Sequence, residues 1–406
     1  MNLFREGNCC VMQNKRSYKI IDVCFISILG LIVLVCATAV FVREKDIIEI
    51  ENRKSTKLPI FTVSDFSSYK YQSNFEKALG DQFIGRDSAK LFLSRLKQQS
   101  FNTLFLPFID KQHYYPITDN LYAYGNGEHL LYRTLSESEI KNSMDIMESV
   151  ANSYNRVQGV DKYLYFVVHD GSSDFTNPEV NACFVELIKT LYPRFKMDYL
   201  KINDFEDFER YFYKADHHWN HIGSYQGYTD IVNMIFQNKE ELVPIEDEVT
   251  FDIMFYGSKA RSSLFYEFGQ NLTVYTFNLP EFHTFIDGVE KTYGNKDLYF
   301  NYTEDNKPNY SGHYGVYYGE DYAEVIYDFN QPEKQNLLIV ANSYSNAIND
   351  ILASHFNKTY VLDFRHEHDP NFDIDQYIID NNIDILLFIA DSAALTMEAS
   401  TLRRPK

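Results

Sequence analysis

Three short, uninterrupted apolar runs do most to limit what this chain can become: Tyr163–Val168, Leu337–Val340 and Ile385–Ile389. A strand with one face in water alternates polar and apolar residues. A run without alternation has to bury both faces, as the central strands of a parallel sheet do. Helix-like stretches lie around them at Val180–Tyr192, Gly223–Gln237, Ser345–His355 and Ile374–Asn381. A further helix is expected over Ser136–Gln158, where Ser136 caps with Glu139 three positions on and Ile140, Met144, Met147 and Val150 line one face. Shorter strands are expected at Tyr199–Ile202 and Thr359–Asp363. Strands alternating with helices of this length predict an α/β fold, a doubly wound parallel sheet with helices on both faces. The rhythm breaks over residues 249–330, a Gly- and Tyr-rich stretch with β-like runs at Leu272–Phe277 and Ala323–Tyr327, which reads as a β-rich insertion. Upstream, Asn74–Gln99 reads as one helix, or as two joined around Asp81-Gln82-Phe83, because Gly80 and Gly85 interrupt it.

The N-terminus carries a topological signal. Val23–Val42 holds no charge and, at about 1.5 Å per residue, is long enough for a ~30 Å hydrocarbon layer. Arg5, Lys15, Arg16 and Lys19 precede it, which puts residues 1–22 in the cytoplasm and everything after the span outside. Ala37-Thr38-Ala39 also has the small-x-small form of a cleaved signal peptide, but the apolar run continues to Val42 and favours an uncleaved anchor. Either way the remainder is exported: a polar stalk over 43–58, then an extracytoplasmic domain over 59–406. Residues 1–45 carry a net +3, so of the chain's −19 the rest carries −22. A surface this acidic excludes nucleic acid as a partner. Only Cys183 of the five cysteines lies beyond the span, so no disulfide forms within the exported part.

Two distant segments carry chemistry. Ser343 stands just past a buried-type strand and opens a helix, the crevice where open α/β sheets bind ligands and where helix amides can stabilise an oxyanion. A serine there serves equally as a helix cap. Asp216-x-His218 is the second segment: an Asp two residues before a His can accept the Nδ1 proton and leave Nε2 as a general base. A metal held by His217, His218 and His221 is a rival, weakened because adjacent His217 and His218 point apart on a strand. A hydrogen-bonded structural loop is another. Trp219, the only Trp, either packs or lines an acceptor sugar site. His169-Asp170, at a strand end, reads as substrate contact or ordinary loop.

Taken together, Glu51-Asn52-Arg53-Lys54, Asp81-Gln82-Phe83-Ile84-Gly85-Arg86-Asp87, Asp216-His217-His218-Trp219, Gly257-Ser258, Leu337–Ser343 and Val361–Arg365 resemble, in this order, the bacterial DHHW protein family. The resemblance runs from about residue 50 to 390. That family is similar to SGNH-hydrolase-like proteins, among them the alginate O-acetylation proteins. The resemblance implies an SGNH-like sheet with Ser343 as nucleophile, His218 as base and Asp216 as its orienting acid. Trp219, His217, Asn342, Arg365 and Gly319 are its candidates for contacting substrate, with Arg365 read also as an ion-pair partner of Asp363. For the oxyanion it offers the Ser343 N–H and, more weakly, Gly319. No metal and no cofactor are expected. The activity implied is O-acetyl transfer or acetyl-ester cleavage on a cell-surface polysaccharide, beside a membrane-bound O-acyltransferase that passes acetyl groups outward. One departure stands out. The relatives usually carry Asp before the serine, and here Ala341-Asn342 precedes it. Asn keeps a capping amide and loses the carboxylate, which leaves open a non-catalytic surface or glycan-binding module with a degenerate site.

Overall fold

A strand that buries both faces needs an apolar layer on each side, and the computed structural model supplies two. It describes residues 20–31, 34, 35, 38, 45–51, 53–104, 115–118, 121–124, 129–133, 137–168, 178–264, 269–294, 296–300, 312–366 and 372–391. The chain divides into two units, Met1–Phe101 and Asn102–Lys406.

The larger unit is built on an eight-stranded sheet. In chain order its strands are β1 (Asp161–Val167), β2 (Lys196–Leu200), β3 (His283–Ile286), β4 (Val289–Glu290), β5 (Glu324–Asp328), β6 (Leu337–Ala341), β7 (Lys358–Leu362) and β8 (Ile385–Asp391). Their spatial order is β4-β3-β5-β7-β6-β8-β1-β2. The five from β7 to β2 are parallel, and β5, β3 and β4 extend the sheet antiparallel. Leu337, Ile339 and Ala341 of β6 face one core, with Ile351 and the helix His221–Phe236. Leu338 and Val340 face the other, with the helices Glu137–Arg156, Pro178–Leu191 and Ile374–Asp380. Successive side chains go to opposite faces and both faces are covered, hence no alternation in the sequence.

The sheet differs from a wholly parallel one because of residues 249–330. The expected run Ala323–Tyr327 is realised as β5 and, with β3 and β4, joins the main sheet as its antiparallel edge. The other run, found as Gln270–Thr276, pairs antiparallel with Asp247–Phe255 in a separate hairpin. The segment after Ser343 also departs from the single helix expected. It is a 3₁₀ turn, Ser345–Ala347, followed by the short helix Asn349–Ala353.

Upstream, the helix Lys70–Gln82 and the helix Arg86–Leu104, which ends past Phe101, are separated at Gly85, whose φ of 75° is a conformation that a Cβ disfavours. The motif residues around that break form an ionic clasp. Arg53 donates to both Asp81 oxygens at 2.7 and 2.6 Å, and Lys45 to Asp87 at 2.9 Å. Glu51 receives Arg86 at 2.5 Å and Lys90 at 2.6 Å. The Gln82 carboxamide accepts from the Lys45 N–H at 2.7 Å and donates back to the Lys45 carbonyl at 3.2 Å. These residues tie the Ile47–Lys54 hairpin to the helix corner, a structural use of this part of the pattern. Residues 20–31, 34, 35 and 38 are helical, while the rest of the expected anchor lies outside the described residues. Among the described residues no helix is long and apolar enough to cross a membrane. Ser136 and His169-Asp170 also lie outside them.

One buried histidine should make the larger unit acid-sensitive. His129, on the strand His129–Tyr132, is 1% exposed and packs edge-on against Phe205. Burial, then the charges of Lys214 and Lys259, push its imidazole down to about 3. An unfolded histidine takes its proton near pH ~6.5. The unfolded chain therefore binds a proton that the folded chain refuses, and stability falls as pH drops from ~6.5 to the folded value, at about 1.4 kcal/mol per unit. Between pH 6.5 and 5.0 urea unfolding should show the natural chain losing about 2 kcal/mol more than His129→Leu. Equal losses in the two chains would contradict the assignment.

Candidate active site

The Asp-His-His-Trp segment is a loop pinched at its base. Phe212 and Trp219 form an isolated antiparallel bridge, and the Asn220 N–H donates to the Tyr211 carbonyl at 2.8 Å. Asn220 then caps the helix His221–Phe236, its side chain accepting from the N–H groups of Ile222 and Gly223 at 2.9 and 3.0 Å. Trp219 is wholly buried beneath that helix. Gly223 and Gly227 make room for it: a Cβ at Gly227 would lie 2.5 Å from the indole. Trp219 therefore holds the loop from below, the packing role of its two readings, and lines no sugar site.

The pinch projects Asp216 and His218 together. Asp216 Oδ1 accepts from the His218 N–H at 2.9 Å and from His218 Nδ1 at 2.6 Å. Its Oδ2 accepts from the Ser258 N–H at 2.6 Å. Burial pushes this carboxyl up, but the imidazoles of His217 and His218 and the hydrogen bonds from His218 outweigh it and hold the group well below the usual carboxylate range. An ionised Asp216 is a pure acceptor, so the neutral tautomer of His218 that fits it has the proton on Nδ1 and turns Nε2 towards Ser343. That nitrogen lies 2.8 Å from Ser343 Oγ.

Ser343 sits half-buried at the carboxyl end of β6. Its turn is held by Asn342, whose Oδ1 accepts from the Tyr344 N–H at 3.2 Å and whose carbonyl accepts from the Ser345 N–H at 3.1 Å. The Asn342 amide thus works as the turn cap, a task that needs no carboxylate. The Ser343 N–H opens the 3₁₀ turn and takes part in no hydrogen bond among the described residues. Tyr314 grips both halves: its ring stacks on His218 at 3.9 Å with 8° between planes, and its hydroxyl donates to the Ser343 carbonyl at 3.1 Å. The Tyr344 hydroxyl donates to the His217 carbonyl. His217 lies at the rim with Nδ1 2.7 Å from Ser258 Oγ.

The remaining candidates fall away from this centre. Arg365 is committed to two acids, Asp363 with Nε 3.0 Å from both oxygens and Asp321 at 2.7 Å, so its charge is not free for a substrate anion. The Gly319 N–H ends the helix His313–Tyr318 by donating to the Gly315 carbonyl at 2.8 Å, which removes it as an oxyanion donor. His221 does not join His217 and His218; its ring is half-buried and packs edge-on against Tyr275. Asp216, His217 and His218 do offer ligand atoms within 4.8 Å of one another. Both Asp216 oxygens and both His218 nitrogens are already hydrogen-bonded, so a cation held by His218 would have to displace either Asp216 or Ser343 from the ring. Sequence reasoning missed Ser258, Tyr314 and Tyr344. Gly257-Ser258 stood in the motif without a role, and the two tyrosines are lost among 32.

No protein-family model matches the chain, and neither does any curated protein. Solved structures do. Bacillus cereus PatB1, in a structure with a sulfonyl adduct, superposes with a TM-score of 0.52 at 23% identity, over 71% of this chain and all of PatB1. A DHHW family protein from Eubacterium siraeum gives 0.52 at 16% identity, over 71% of this chain and 96% of its own. The O-acetyltransferase domain of Pseudomonas putida AlgJ is more distant, at 0.36 and 9% over 66% and 90%. The first two share this chain's fold, and the expected likeness to DHHW proteins holds at that level.

Proposed function

We propose, for a chain with the fold of a DHHW family protein, that Ser343, His218 and Asp216 act together in O-acetyl transfer or acetyl-ester cleavage. The observation that carries the reading is the continuous line Asp216 Oδ1 – His218 Nδ1 at 2.6 Å and His218 Nε2 – Ser343 Oγ at 2.8 Å. Ser343 Oγ attacks the acetyl carbonyl as its proton passes to Nε2. The tetrahedral oxyanion forms against the Ser343 N–H. Collapse expels the donor alcohol, which takes the proton from Nε2 and leaves acetyl-Ser343. An acceptor hydroxyl then gives its proton to Nε2 and attacks the acyl-enzyme. Collapse breaks the Ser343 Oγ–acyl bond and Nε2 returns its proton to Oγ, so a sugar hydroxyl yields a new ester and water yields acetate. Asp216 stays ionised and holds the imidazole.

The uncharged run Val23–Val42 and the cations before it support an anchored, outward-facing protein. The acceptor would then be a cell-surface polysaccharide, and the acetyl donor a membrane-bound O-acyltransferase delivering from the cytoplasm. Phenylmethanesulfonyl fluoride tests the central step without knowledge of the polymer. One adduct per chain is expected by mass spectrometry, mapped to Ser343, absent in Ser343→Ala and much slower in His218→Ala. Intact Ser343 under those conditions would leave a binding module instead.

A further inference from the structure

A cavity of about 620 Å³, within the ~300–1,000 Å³ of small-molecule sites, opens beside the turn that carries Ser343. The sheet's antiparallel edge forms its floor, through Thr284 of β3 and Tyr327 of β5, with Phe282 next to them. Asn346 and Asp350 come from the 3₁₀ turn and helix that follow Ser343, so one wall is continuous with the nucleophile's own loop. A second link runs through rings. Tyr318 lines the cavity and lies 5.0 Å from Tyr314, which stacks on His218.

The lining states what it can hold. Phe282, Tyr293, Tyr318 and Tyr327 give flat apolar surface, while Thr292 gives a hydroxyl and Asn346 an amide; the Thr284 hydroxyl already donates to the Lys291 carbonyl. Asn346 spends its NH₂ on the Gly319 carbonyl and Asp321, both at 3.0 Å, which leaves its carbonyl oxygen to accept. Among the described lining residues the sole cation is Lys296, and Asp350 neutralises it at 2.6 Å. Asp297 adds a further carboxylate. A polyanion would find the one cation among the described lining residues already paired, and a purely apolar ligand would leave the Asn346 carbonyl oxygen without a donor. The ligand class that has a flat C–H face and hydroxyl edges without charge is the neutral pyranose.

We infer that this cavity binds uncharged pyranose units of the acyl acceptor and so sets which polymer hydroxyl reaches Ser343. The inference rests on the acyl-transfer reading for its catalytic meaning, and its test is independent of catalysis. Full-length Ser343→Ala, which keeps the cavity, is titrated calorimetrically with maltotetraose, chitotetraose and tetragalacturonate. Saturable one-site binding of a neutral tetrasaccharide is expected, weakened at least about tenfold by a second change, Thr292→Trp, which fills the exposed mouth. Thr292→Ser should restore it, with unfolding midpoints confirming that each variant is folded. No saturation by either neutral probe, equal binding by Thr292→Trp, or equally tight tetragalacturonate overturns the inference. Binding here without sulfonyl labelling of Ser343 would sink the acyl-transfer reading and keep the cavity; labelling without binding does the reverse.

Discussion

Ser343→Ala and His218→Ala are each expected to bring ester cleavage down to near the uncatalysed rate, a fall of about 10⁴- to 10⁶-fold, and the double variant should lie no lower than either single one. The non-additivity follows from the geometry. The serine hydroxyl has a base only through the 2.8 Å contact to Nε2, and that nitrogen has a proton to take only from the hydroxyl. Removing either partner removes the same step. The residual rate belongs to whatever the oxyanion-binding N–H and the substrate site still provide. Initial rates with 4-nitrophenyl acetate, beside circular dichroism to show intact folds, make the measurement. A rate within threefold of the natural chain in either single variant would end the nucleophile–base assignment, and additive losses would show that the two residues serve different steps.

How much of this was legible in the sequence depends on how far each signal reaches. The two-faced burial of β1, β6 and β8 is written locally, in runs such as Leu337–Ala341, and it placed the sheet. Which neighbours those strands take is set by pairing across long stretches of chain. Nothing in Glu324–Asp328 alone says that it pairs antiparallel with β7 and does not belong to a separate subdomain. The site divides the same way. Asp216 and His218 are two residues apart, so a local loop can bring them together; Ser343 is 125 positions from His218 and is delivered by the sheet. Trp219, Gly319 and Arg365 each stood open to two readings, because residue type alone suits both tasks. An indole can line a sugar site or fill a core, and only burial beneath the helix His221–Phe236 decides. A guanidinium can hold a substrate anion until two carboxylates 2.7 and 3.0 Å away have taken it.

Gly257→Ala should cost activity nearly as much as Asp216→Asn, about 10²- to 10⁴-fold in kcat, although Gly257 touches neither serine nor imidazole. Its φ of −67° suits any residue, so the constraint is one of space and not of backbone conformation. A Cβ built there lies 2.2 Å from Asp216 Cβ and 2.4 Å from Oδ2, and no rotamer of alanine relieves either contact. Asp216 cannot retreat either. Its Oδ1 is held by the His218 N–H and ring, and its Oδ2 by the Ser258 N–H at 2.6 Å. The added methyl must therefore push the carboxylate off His218, which frees the imidazole to choose the wrong tautomer, or push the Ser258 amide off Oδ2, which strips the carboxylate of the donor that fixes its orientation. Stability should fall by about 1–3 kcal/mol, small beside the activity loss. The sharper check is the double variant Gly257→Ala/Asp216→Asn. If Gly257 acts only by seating Asp216, the double change should be no slower than Asp216→Asn alone. A Gly257→Ala chain with natural kcat, or a double variant slower by the product of the two losses, would separate the glycine from the carboxylate and leave its close approach unexplained.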